Sequence, residues 1–97
     1  MKKFKEHSST AVFTTKFVFD NKDITTVYHE EEDGAWQFFS DDPFDNYEDV
    51  ARIVSLGEII ALDSSLLELA EMPEGYYAHR HSRQDNWTIA RMEEPTE

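Results

Sequence analysis

His79 and His81 stand in the segment "YYAHRH", and on a strand that spacing projects both imidazoles from one face. Two such nitrogens could chelate a metal such as zinc if His29 or a carboxylate joined them. The competing reading is a partly exposed hairpin in which the two histidines flank Arg80 and hold nothing. Carboxylates are the other reactive type in abundance, with 21 Asp and Glu against 9 Lys and Arg and a formal net charge of −12. A calcium loop starting at Asp41 would need glycine at its sixth position and a bidentate glutamate at its twelfth, and those positions are Asn46 and Arg52. That excludes the calcium loop. No glycine-rich phosphate loop or nucleophile elbow occurs, and there is no cysteine to pair with a histidine. With so many acids, the nearness of any two says nothing about a tuned general acid or base. The sequence therefore reads as non-catalytic and assigns no cofactor.

The charge is unevenly distributed. Between Asp23 and Ala51 there are ten acids and no Lys or Arg, while Lys2, Lys3 and Lys5 open the chain and Arg80, Arg83 and Arg91 lie near its end. Nucleic acid and anionic membranes demand a basic footprint, so neither is an expected partner. A basic protein is the natural complement, and the acids that would meet it are Glu31, Glu32 and Asp33 in one cluster and Asp41, Asp42 and Asp45 in another. Phe44 and Tyr47 lie inside the second cluster, either as binding anchors ringed by charge or as pins that hold the loop to the domain. The acidic field would act chiefly on association rate, fading as salt shortens the Debye length to about 8 Å at physiological strength. Plain solvation of the acidic run is the rival reading.

The remaining composition bounds the class. A chain of 97 residues suits one domain, since domains cluster at about 100–150 residues. The absence of cysteine excludes disulfides and thiolate zinc. Lys2, Lys3 and Lys5 resemble a signal n-region, but Glu6 to Thr10 is polar where an apolar core should follow, and a cytoplasmic location is expected. No apolar run approaches the roughly 18–20 residues that span a bilayer.

These residues must be carried by a small set of elements. "AVFTTKFVF" (11–19) alternates as a strand that puts Phe13, Phe17 and Phe19 on one face. "ITTVYHE" (24–30) and "AWQFFS" (35–40) are strands joined through the Asp33-Gly34 turn, and the three together predict an antiparallel meander with Trp36 and Phe38 inward. "VARIV" (50–54) reads as a short strand or as a helical lead-in. Ser55 and Glu58 form a capping box for a helix over Leu56 to Leu62, and Asp63 caps a second helix with Leu66, Leu67, Leu69 and Ala70 as its buried stripe. Met72 to Gly75 stops it, and "YYAHRH" and "NWTIAR" close a hairpin around Ser82 to Asp85. The expected fold is α+β: a meander, two short helices and a C-terminal hairpin in one domain over 11–91, preceded by a flexible segment (1–10) and followed by an acidic tail (92–97).

The stretches "VYHEEEDGAWQFFS" and "IVSLGEIIALDSSLLELAEMPEGYYAHR", with the spacing between them, resemble the bacterial family called domain of unknown function 2185, also described as immunity-protein-33-like. The family pattern has an acidic stretch leading into a Gly-Trp-Arg-Phe-like strand, an Asp-Pro-Ser-Leu-like helix start and a Pro-x-Gly turn before an aromatic strand. Its counterparts here are Trp36 to Ser40, Asp63 to Leu66 and Pro73 to Tyr77, within a match over 13–90. The chain departs from the pattern at His29, where the family usually has Arg, and at Ala35 and Asp41, where it has Gly. The resemblance implies neutralisation of a cognate toxin by protein binding, through a surface made more acidic by Asp41.

Overall fold

A computed structural model describes residues 3–92, so most of the expected acidic tail, 93–97, lies outside the described residues. The first strand, β1 (Ala11–Thr15), buries Val12 and Thr14 and turns Phe13 to the opposite face. The expected strand over 11–19 ends here, because the chain makes one helical turn, α1 (Lys16–Phe19). A strand would keep Val18 opposite Phe17 and Phe19, whereas the turn drives Val18 into the core and leaves Phe19 outside. The turn closes with the Asp20 amide donating to the carbonyls of Lys16 and Phe17, and Asn21 takes the left-handed φ of 70° that short amide side chains tolerate.

Strands β2 (Thr26–His29) and β3 (Trp36–Phe39) pair as the expected antiparallel hairpin. Their turn ends at Gly34, whose φ of 71° favours glycine. The meander, however, is not formed: β1 runs parallel to β3 and never pairs with β2. Residues 16–25 are long enough to step past one strand position of about 4.8 Å, so β3 slots between β1 and β2. The segment left open as strand or helical lead-in contains both, a helical turn α2 (Tyr47–Val50) followed by strand β4 (Ala51–Ser55) antiparallel to β1. Strands β5 (Tyr76–His79) and β6 (Thr88–Arg91) form the C-terminal hairpin, and β5 docks on β2. The product is a six-stranded mixed sheet in the order β4-β1-β3-β2-β5-β6, an α+β fold.

Helix α3 (Leu56–Leu62) starts at the capping box, with the Glu58 amide donating to Ser55 Oγ at 3.2 Å and the Ser55 amide to Glu58 Oε1 at 3.4 Å. Asp63 caps the next segment as expected, accepting the Ser65 amide at 3.0 Å. That segment, Ser64–Leu69, is a 3₁₀ helix. Its three-residue period aligns Leu66 with Leu69, and both are buried. They pack with Leu56 and Ile59 against Val27, Trp36 and Phe38 on one face of the sheet. Phe4, from the segment before β1, meets the Trp36 ring edge-on at 4.9 Å. Among the described residues no helix is long and apolar enough to cross a membrane.

Where the helical layer meets β5, Arg80 and Asp63 form a buried ion pair, with Nη2 donating to Oδ2 at 2.5 Å. Arg80 Nε donates to the Ile24 carbonyl at 3.0 Å and Nη1 to Ser65 Oγ at 2.9 Å, while the guanidinium lies 4.0 Å above the Trp87 ring. Burial alone would raise the Asp63 carboxyl, but hydrogen bonds from Ser65 and Arg80 and the Arg80 charge outweigh it and hold the pKa below the usual value. A depressed carboxylate contributes stability above its unfolded pKa of about 3.9 and loses it as pH falls through the folded value. Asp63→Asn should therefore cost about 3–5 kcal/mol in urea unfolding at neutral pH by leaving a buried guanidinium unpaired. The gap from wild type should narrow once pH drops below about 4, and a gap constant across that range would contradict the assignment.

Candidate functional site

Helix α3 and the 3₁₀ helix cover one face of the sheet, and cross-strand register defines the composition of the other, on whose end the Asp41 to Asp49 loop packs. Residues directly opposite one another share a face, so Ile53, Phe13, Gln37, Tyr28, Tyr77 and Ala90 form one row across all six strands. A second row carries Phe39, Thr26, His79 and Thr88. No Lys or Arg of the strands lies on this face, because alternation sends Arg52 and Arg91 to the other side. Its rings form a continuous ladder. Tyr77 lies 5.9 Å from Tyr28, Tyr28 is 5.8 Å from Phe39 in an edge contact, and Phe39 meets Phe44 at 6.4 Å and Tyr47 at 5.7 Å.

The two acidic clusters sit at opposite ends of β3. Glu31, Glu32 and Asp33 are exposed in the β2–β3 turn, where Asp33 Oδ1 accepts the Ala35 amide at 3.0 Å. Asp41, Asp42 and Asp45 follow the far end of β3, on the order of 20 Å away at about 3.3 Å per strand residue. The structure does not gather them into one patch. It makes them two rims of the aromatic face. Asp41 is held by Thr25 Oγ1 at 2.6 Å and Asp42 by Ser40 Oγ at 2.8 Å, while Asp45 is exposed.

Phe44 and Tyr47 serve in both of the ways the sequence left open. Phe44 stacks on Phe39, Tyr47 meets it edge-on, and Tyr47 donates to the Thr14 carbonyl at 3.2 Å, so they pin the loop to the sheet. Burial raises the Tyr47 phenol above its ordinary pKa. Phe44 nevertheless remains 41% exposed and forms one wall of a groove of about 270 Å³ with Tyr28, Phe39, Thr26 and Ser40. A second groove, whose lining includes Lys22 as well as Asp23, Thr25, Asp41, Asp42 and His81, opens beside it.

His79 and His81 are both exposed, His79 on the aromatic face and His81 at the second groove. His29 is buried on the opposite side of the sheet and cannot join them. Among the described residues no three His, Asp or Glu side chains converge as metal ligands, so the metal alternative has no third ligand in the geometry. Sequence reasoning missed Tyr28, Phe39 and Tyr77 as surface residues. Their signal was the complementary phase of the alternation, since strands β2, β3 and β5 carry rings where a solvated face would carry polar side chains. No family model, curated protein or solved structure matches the chain.

Phe39 is the ring on which the others converge. At roughly 0.5–1.5 kcal/mol per aromatic pair, Phe39→Ala, which loses its pairs with Tyr28, Phe44 and Tyr47, should cost about 2–3 kcal/mol and release the 41–49 loop, whereas Phe44→Ala, which loses its pairs with Phe39 and Tyr47 only, should cost about two-thirds as much. Urea unfolding and proteolysis within 41–49 measure both, and equal costs would show that the ladder is not organised around Phe39.

Proposed function

We propose that this protein is a non-catalytic, acidic binding module that holds a basic protein partner against the open face of its sheet and the Asp41 to Asp49 rim. The observation that carries this reading is the aromatic ladder on an uncovered face, free of strand Lys and Arg and bounded by acids at both ends. Rings supply contact area at low conformational cost, with Phe44 and Tyr28 flanking a groove that an apolar or cationic side chain can enter. The acids supply steering, which raises encounter rates by about 10–1000-fold when the partner has the opposite charge. No catalytic step or cofactor is needed. The resemblance carried by "VYHEEEDGAWQFFS" and the Asp63 to Tyr77 segment makes the partner a cognate bacterial toxin and the role its neutralisation in the cytoplasm.

The test is to capture the partner with the tagged protein from its native cell, purify it, and follow association by stopped flow. Asp41→Asn, Asp42→Asn and Asp45→Asn together should slow association roughly tenfold or more at low salt while leaving dissociation nearly unchanged. Asparagine keeps the acceptor that Thr25 and Ser40 use, so the loop is preserved. The wild-type rate should fall with added salt. An association rate unchanged in the triple variant, or indifferent to salt, would overturn the proposal.

A further inference from the structure

On the helix-covered side of the sheet, three groups with polar atoms meet under the segment that precedes β1. Trp36 Nε1 donates to Glu6 Oε2 at 3.0 Å. The His29 ring stacks on the Trp36 indole at 3.8 Å between centroids and 15° between planes, and His29 is only 2% exposed. His29 Nδ1 lies 2.8 Å from the Met72 carbonyl, an acceptor, so Nδ1 must carry a hydrogen. This fixes the role of the other nitrogen. Nε2 faces Glu6 Oε2 at 4.0 Å, and both Nε2 and Glu6 Oε1 are buried with no hydrogen-bond partner among the described residues.

In the neutral ring, with its hydrogen on Nδ1, Nε2 is a lone pair buried opposite a carboxylate. Two acceptors then face each other out of water, an arrangement that costs free energy. Protonation leaves Nδ1 donating to Met72, replaces the Nε2 lone pair by a donor 4.0 Å from Glu6 Oε2, within ion-pair distance but beyond hydrogen-bond distance, and places a cation over the Trp36 face. Few charged or titratable groups among the described residues face the ring. Glu6 is the charged group beside it from the N-terminal segment, Tyr76 stands across the ladder on β5, β3 presents the indole, and Glu71 and Glu74 on the turn after the 3₁₀ helix are exposed.

We propose that His29, Glu6 and Trp36 form a proton-operated latch that clasps the residue 3–10 segment to the sheet while His29 is protonated and loosens it when the proton leaves. Phe4 moves with Glu6, since its ring rests on the same indole. Loosening would expose the Trp36 and His29 rings at the sheet end that carries the Glu31 to Asp33 turn.

The experiment is a pH series on the intact protein, across about pH 5–8, following His29 ring nitrogens and the Trp36 indole N–H by NMR, with solvent exchange of the indole corrected for its intrinsic pH dependence. His29→Gln and Trp36→Phe spectra assign the signals. The proposal expects the indole to lose protection by about tenfold or more in step with His29 deprotonation. Glu6→Gln is the decisive variant, because a glutamine amide can accept from Trp36 through its oxygen and donate to neutral His29 through its nitrogen. It should stay latched across the series. Loss of the indole's pH response in Glu6→Gln, with protection retained, supports the latch. Titration of His29 with no change at the indole, the absence of any His29 titration, or a Glu6→Gln response equal to wild type would each overturn it.

Discussion

Arg80 brings a permanent charge into the protein interior at the end of β5, and burial of an unpaired guanidinium is among the most costly events in folding. Asp63, at the junction of α3 and the 3₁₀ helix, meets it while also capping the 3₁₀ segment through Ser65. One side chain therefore fixes both the helical layer and its position over the sheet. The Ile24 carbonyl and the Trp87 ring complete the guanidinium's surroundings and tie in the start of β2 and the approach to β6. Hydrophobic packing could slide these elements, being non-directional, whereas four aligned donor and acceptor groups cannot. Leu56, Ile59, Leu66 and Leu69 are thereby committed to one side of the sheet.

That commitment leaves the second face uncovered, and the sequence fills it with rings. A half-buried ladder of Tyr77, Tyr28, Phe39, Phe44 and Tyr47 is self-supporting: each ring is partly desolvated by its neighbours without a covering layer. The same contacts hold the acidic loop in place before any partner arrives, which lowers the ordering cost of association. Acids at the two ends of β3 bound the face as two separate rims. Fold and proposed function thus share a cause, since the pair that fixes the helices on one side determines which side is available.

The sequence made local chemistry legible and concealed what depended on distant pairing. Ser55 and Glu58, Asp63, and Gly34 stand where cap and turn chemistry puts them, because each acts within a few residues. The meander failed because alternation in 11–19 carries no information about which strand becomes a neighbour, and a ten-residue connection permits β3 to intervene. The early end of β1 follows from Val18 reaching the core, a fact set by packing. Of the candidate site, the acidic clusters and the pair Phe44 and Tyr47 were readable from composition. Phe39 was not, because a strand with rings in both phases, Trp36 and Phe38 against Phe39, does not announce that one phase is left open. Arg80 likewise looked like a surface cation between two histidines until its partner, 17 positions earlier in the chain, was placed beside it.

The central claim is that the uncovered aromatic face is the surface a partner occupies. Hydroxyl-radical footprinting of the protein alone and saturated with its captured partner measures this directly, since aromatic side chains are the reactive reporters. The account predicts that Tyr28, Phe44 and Tyr77 lose reactivity in the complex while Leu62, also exposed but on α3, keeps its own. Protection of Leu62 with undiminished labelling of Tyr28, Phe44 and Tyr77 would contradict it.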